Sequence, residues 1–144
     1  MSFRQQLNDF ARKTSARSDA VVKKIVIDVG SALVMKTPVG DPSYWVMPAP
    51  PGYVGGRARG NWQYGLNAPV TADRDSIDPS GGGTISAIVG SVSGNAAGKI
   101  HYITNTLEYI DALENGRSRQ APHGMMKLTV MEFQPIVRRA ASLL

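Results

Sequence analysis

Cysteine is absent from these 144 residues, which removes disulfide frames, thiolate nucleophiles and cysteine-ligated zinc, and fits a reducing compartment. Histidine occurs only at His101 and His123, neither with a partner at ligand spacing, so no metal centre is expected. Long hydrophobic runs are also missing. The most apolar stretch, 20–35, is interrupted by Lys23, Lys24 and Asp28, and the N-terminus Met-Ser-Phe-Arg-Gln-Gln lacks a signal peptide's apolar core. The chain is expected neither to span a membrane nor to be exported by that route. Catalytic signatures are equally scarce: Gly90-Ser91-Val92-Ser93-Gly94 copies a nucleophile elbow in spelling but puts Val92 where the nucleophile belongs, and no Gly-Lys-Ser/Thr follows the glycine-rich loops. No catalytic residue, cofactor or enzyme activity is expected.

What is present is ordinary folding material, 42% hydrophobic and 19% charged, enough for one domain over 1–144 and too short for a second full-sized core. The net charge of +5 is unevenly spread. Residues 1–36 carry seven bases against three acids and 117–144 five against one, whereas 37–83 has three against four and 84–116 one against three. Basic ends around a mildly acidic middle suit an acidic partner, either nucleic acid or an acidic strip on a neighbouring subunit.

Apolar spacing predicts a long helix over 2–35, with Phe3, Leu7, Phe10, Val21, Ile25, Val29 and Ala32 on one side and an end before Pro38. Ser18-Asp19 could cap a second helix, so a break near 15–18 stays open. Residues 37–83 hold seven of the nine prolines and nine of the fifteen glycines, and read as loop with one strand over 59–66 in which Trp62 anchors the core. Gly81-Gly82-Gly83 reads as a hinge before a short helix over 84–93 capped by Thr84. A strand over 99–104 follows, then a helix over 107–114 stopped by Asn115-Gly116. The last element starts near Pro122, buries Met126, Val130, Phe133, Val137 and Ala140, and is kinked or divided by Pro135. The order gives an α+β fold: a long N-terminal helix, a small antiparallel sheet, short helices and a C-terminal helix. Such a small sheet needs the terminal helices or neighbouring subunits to cover it.

Two charged groupings have more than one reading. Arg12-Lys13 and Lys23-Lys24 lie eleven residues apart, three helical turns, and form a cationic ladder that is either a solvated face or a nucleic-acid contact. Glu108, Asp111 and Glu114 recur every three residues as a solvated or subunit-facing acidic strip; paired-carboxylate chemistry has no supporting ligands nearby. Arg57 and Arg59 beside Trp62, and Arg117 and Arg119 before Pro122, have the composition of protein interfaces as well as of plain surface.

The stretch 102–125, with Tyr102, Asn105, Leu107 and Tyr109 followed by Leu113-Glu114-Asn115-Gly116-Arg117-Ser118-Arg119-Gln120-Ala121-Pro122-His123-Gly124-Met125, resembles the tail-completion or neck proteins of long-tailed double-stranded DNA bacteriophages. Thr129, Glu132 and Phe133 are similar to that family's ending. A second block agrees: Thr37-Pro38-Val39, then Gly56-Arg57-Ala58-Arg59-Gly60-Asn61-Trp62, with Gly40 to Gly55 intervening where compact relatives are nearly continuous. The resemblance implies a tail-terminator-like fold and a virion structural protein, assembled in the host bacterial cytoplasm. It also implies a homo-oligomeric ring, commonly hexameric, that completes the tail and joins it to the head around the DNA channel, between neck or connector proteins and the tail tube. On that reading Arg57, Arg59, Tyr109, Glu114, Arg117, Ser118, Arg119, Gln120 and Met125 meet a neighbouring subunit, with Tyr109, Leu113 and Met125 equally readable as intrachain core. Loops 40–55 and 116–122 make lateral contacts, and Arg12, Lys13, Lys23 and Lys24 face channel DNA without sequence preference or the adjacent ring. The competing class is a small basic nucleic-acid-binding module using the N-terminal helix.

Overall fold

The computed structural model describes residues 2–142. A single helix, α1, runs unbroken from Phe3 to Lys36. Its start is fixed by a capping box: the Ser2 hydroxyl accepts from the Gln5 backbone N–H, and the Gln5 side chain accepts from the Ser2 N–H. No break occurs at 15–18, where Ser18 returns its hydroxyl to the Thr14 carbonyl inside the helix. The helix ends at Thr37, whose extended backbone obeys the restriction that Pro38 imposes on it.

After a 3-10 turn over Pro42–Tyr44 come α2 (Arg57–Gly60), β1 (Gln63–Leu66), α3 (Gly82–Ser91), β2 (His101–Thr104), α4 (Ile110–Glu114), α5 (Met126–Met131) and α6 (Phe133–Ser142). The strands pair antiparallel, Gln63 opposite Thr104 and Leu66 opposite His101, although α3 lies between them in the chain. The architecture is α+β, as its pattern of elements predicts. No helix among the described residues is long and apolar enough to cross a membrane.

One core cluster joins these pieces. Val26, Leu33 and Val34 of α1 meet Trp62, Ile88 and Val92, and Ala121 and Met125 close it from the C-terminal side. Gly30 allows the closest approach: a Cβ there would lie 2.9 Å from Ile103 Cδ1 and 3.2 Å from Ile88 Cγ2, so only hydrogen lets α1 settle onto α3 and the sheet.

Several elements differ from their predicted form. The strand expected over 59–66 begins only at Gln63, because Gly56 adopts φ +120° and turns 57–60 into one helical turn, closed by the Asn61 amide on the Arg57 carbonyl. Trp62 is still buried, just outside the strand. The triple glycine is the opening of α3: Gly81 sits in the left-handed region, and Asp78, from outside the helix, accepts from the Thr84 N–H and hydroxyl. The Thr84 hydroxyl bond outweighs burial and, with the Thr84, Gly81 and Ser80 donors, holds the Asp78 carboxyl below its usual value. Thr84 is therefore the buried partner of the cap, and Asp78 is the cap. The helix predicted over 107–114 is shorter, with Leu107 buried ahead of its first turn.

The C-terminal prediction fails in phase over its first part. Met126, Val130 and Phe133, expected in the core, are exposed, and Met125, Thr129 and Ile136 are buried instead; Ala140 is buried as expected and Val137 partly so. The element divides at Glu132, between α5 and α6. Pro135 has no N–H to continue the ladder back to Met131, and α6 begins anew at Phe133. The largest departure is at the other end. Every residue from 2 to 18 except Asp9 is exposed, and Phe3, Leu7 and Phe10 remain 74%, 51% and 70% accessible. The first half of α1 is an arm about 24 Å long at 1.5 Å per residue, carrying an apolar stripe that no described residue covers.

Candidate functional site

The two sequence blocks that carry the resemblance fold into one body. Thr37, at the end of α1, donates its hydroxyl to the Leu33 carbonyl (2.6 Å) and accepts from Trp62 Nε1 (2.7 Å), so the entry to the first block is tied to its far end. Arg59 lies across the same helix terminus. Its guanidinium donates to the carbonyls of Thr37 (2.9 Å), Met35 (3.2 Å) and Pro79 (2.7 Å), placing a cation where the last turn of α1 leaves carbonyls without partners. The second block reaches the first through Gln120, whose side chain accepts from the Val39 N–H (3.2 Å) and donates to the Val39 carbonyl (2.8 Å).

Within the second block, Glu114 provides the link. Its carboxylate accepts from the N–H groups of Met125 (2.7 Å), Met126 (2.9 Å) and Lys127 (2.9 Å), serving three donors that the start of α5 leaves free. Burial pushes its carboxyl up, but the three backbone donors, helped by Lys127, outweigh it and hold the group below its usual value. Two left-handed glycines shape the loop between. A Cβ on Gly116 (φ +86°) would meet the Pro122 carbonyl at 2.5 Å, and one on Gly124 (φ +83°) would meet the Glu114 carbonyl at 2.5 Å.

Between the blocks lies a cleft of about 1030 Å³. One wall is Pro38 to Asp41 with Trp45 and Tyr53, and the other runs from Tyr109 to Gln120, with Arg57 between them. Trp45 and Tyr53 pack edge to face with centroids 4.8 Å apart. Asp41 accepts from the Ser43 N–H (2.9 Å), which with the Ser43 hydroxyl draws its carboxyl below the usual value. Burial pushes the Tyr109 phenol up, and the guanidinium of Arg57 opposes that shift. The intervening excursion 40–55 leaves and returns at nearly one point, since a Cβ on Gly55 would sit 2.2 Å from the Gly40 carbonyl oxygen. It is an Ω-loop set on the body of the chain.

Of the residues predicted to meet a neighbour, Arg57, Tyr109, Arg117, Ser118, Arg119 and Gln120 line this one cleft. Arg59 and Glu114 are engaged inside the chain, and Met125 is wholly buried, so these three serve folding. The cationic ladder is partly neutralised: Arg12 pairs with Asp9, and Lys24 with Asp28 at 2.9 Å. The acidic strip does not act together, because Glu114 is turned to α5 while Glu108 and Asp111 are exposed. No three His, Asp or Glu side chains gather around a possible metal position among the described residues. Both nitrogens of His101 are engaged, with the Tyr64 hydroxyl and the Ala96 carbonyl, each at 2.7 Å. The Trp45–Tyr53 pair and the Gly40/Gly55 pinch escaped sequence reasoning; glycines bracketing an aromatic-containing, proline-rich excursion were their available signal.

The arrangement combines arginines with aromatic walls, and it leaves apolar side chains exposed on the Ω-loop (Val46, Met47, Val54), on the arm and on the C-terminal helices, the composition found at protein interfaces. Compared with known proteins, the chain matches no family model, no curated protein and no solved structure.

Proposed function

We propose that this chain is a structural subunit of a bacteriophage neck or upper-tail ring, built from copies of itself, that completes the tail and joins it to the head around the DNA channel. The single observation that carries the reading is the amount of apolar surface the subunit leaves uncovered. Phe3, Leu7 and Phe10 on the arm, Val46 and Met47 on the Ω-loop, and Val130, Met131 and Phe133 at the C-terminal end are large side chains exposed in separate groups. Exposed apolar groups of that kind mark interaction surfaces when they form a patch. The resemblance of 102–125 and of the Thr37 to Trp62 block supports the choice of assembly, and the way both blocks are built supports a structural role. Their distinctive residues cap helices, shape turns and line a cleft.

The ion pairs at Arg12 and Lys24 favour assembly over a nucleic-acid-binding module, because they neutralise half of the ladder such a module would use. Native mass spectrometry of the purified chain, with cryo-electron microscopy of particles, tests the proposal. The expected result is a closed multimer located at the neck or tail end. A species that stays monomeric at all concentrations and is missing from purified particles would overturn it.

A further inference from the structure

We infer that the cleft of one copy binds the strip 73–77 of a second copy, with Asp75 against its arginines and Ile77 against its aromatic walls. The inference rests on the ring proposed above and names one of its contacts.

The cleft is a basic concavity. Arg57, Arg117 and Arg119 line it against a single carboxylate, Asp41, which already accepts from the Ser43 N–H. None of the three arginines forms an ion pair among the described residues. Trp45 and Tyr53 line the same space and remain 41% and 38% accessible. A site built this way favours a ligand that brings a carboxylate and an apolar side chain together.

The chain's own acids decide which surface of a second copy fits. Asp9, Asp28 and Glu132 are paired with Arg12, Lys24 and Lys36. Asp19, Asp78 and Glu114 are turned to backbone N–H groups of their own chain. Glu108 and Asp111 flank Tyr109 and Ala112, which line the cleft itself, and neither has a large exposed apolar neighbour in sequence. There remain Asp73 and Asp75, both exposed, with Ile77 55% accessible beside them. The arm, with Arg4, Lys13 and Arg17, and the C-terminal group, with Lys127, Arg138 and Arg139, would bring like charge to the cleft.

The strip is also ready-made. Its residues alternate, with Arg74, Ser76 and Asp78 partly buried against the body and Asp73, Asp75 and Ile77 facing solvent. The Arg74 N–H donates to Asn61 Oδ1 (2.8 Å), its guanidinium to the Gly60 carbonyl (3.1 Å), and the Asp78 N–H to the Gly56 carbonyl (3.1 Å). These bonds fasten the strip beside α2, and neither Asp75 nor Ile77 lines the cleft of its own chain. Both surfaces are held in place before they meet, so docking sacrifices little chain entropy. Cleft and strip are different surfaces of one subunit, the arrangement that a contact repeated around a ring requires.

A charge exchange between two exposed positions tests the contact. Arg119→Glu and Asp75→Arg chains are each measured alone and then mixed in equal amounts, with circular dichroism as the check on folding and native mass spectrometry as the readout. Each variant alone is expected to weaken self-association at least about tenfold, because like charges then face each other. The mixture is expected to recover, since every mixed contact is complementary again. Loss with Arg119→Glu but not with Asp75→Arg would mean that the cleft receives another acidic segment, and overturns the inference. Undiminished association of both variants, or a mixture that stays dissociated, overturns it as well; if the native chain is assembled, the ring then stands without this contact. A native chain monomeric at every concentration removes contact and ring together. Tryptophan emission gives a second reading, because Trp62 is buried already and only Trp45 has exposure to lose. Dilution that separates the native copies should shift the emission to the red; an unchanged spectrum through that dissociation excludes the cleft.

Discussion

The two halves of α1 share one uninterrupted helical backbone and the same apolar spacing, yet have opposite surroundings. In the second half Val26, Gly30, Leu33 and Val34 are buried against α3, Trp62 and the C-terminal helices; in the first, Phe3, Leu7 and Phe10 face solvent. Helical periodicity states which side chains share a face, and it is silent on what covers that face. The two halves therefore differ in their surroundings, the second organising the body of the chain and the first left exposed.

The strongest way to break this contrast is to exchange an anchor of the body for one of the arm. Trp62→Ala removes a buried ring and its bond to Thr37, and is expected to cost about 3–5 kcal/mol in denaturant unfolding, near the whole stability of a marginal domain. Phe10→Ala deletes an aromatic ring of similar kind and is expected to change unfolding by less than about 0.5 kcal/mol when measured on the monomer. Comparable losses from the two substitutions would mean the arm folds back onto its own body in solution.

A middle-sized effect belongs to Glu114, which ties the second block together. Glu114→Gln keeps the shape but removes the charge that serves three N–H donors, and is expected to cost about 1–2 kcal/mol at neutral pH. The folded carboxyl is held below its ordinary value of 4.5, so its contribution is fully present above that pH and is lost as pH falls through the lower folded value. Thermal unfolding of the native chain and of Glu114→Gln should therefore converge as the pH drops below about 4.5. A constant gap from pH 7 to pH 3 would assign the loss to packing.

The contrast also explains which parts were legible in sequence. Local chemistry was readable: α1 stops where Pro38 constrains Thr37, Gly116 takes the left-handed stop, Trp62 is core, and Pro135 divides the last helix. Contacts across long separations were not. The carboxylate of Glu114 finds its donors eleven to thirteen residues later, and Arg59 caps a helix that ended more than twenty residues earlier. The C-terminal stripe was misphased over its first part because a rule of spacing assumes one unbroken helix, while the element divides at Glu132 into α5 and α6. At the cleft, residue types marked Arg57, Arg117 and Arg119 as candidate interface residues, and the resemblance added Tyr109; the tertiary path set them around one cleft and sent Met125 inside.

The smallest expected effect is at the tip of the arm and separates local from global stability. A helix of the arm's length is marginal in isolation because its first turn is costly to nucleate, but here the buried half of α1 supplies the nucleus and the arm only propagates it. Its free end is then held by the capping box of Ser2 with Gln5 and by the Asp9–Arg12 pair. Removing the hydroxyl in Ser2→Ala should raise hydrogen exchange of the first-turn amides several-fold, equivalent to about 1 kcal/mol of local capping energy, while the unfolding midpoint of the body stays unchanged. In an assembled preparation the same amides should slow and lose their sensitivity to Ser2→Ala, because a docked arm opens only when its partner lets go. Fast exchange that persists unchanged through assembly would leave the arm free and return its apolar stripe to the status of unexplained surface.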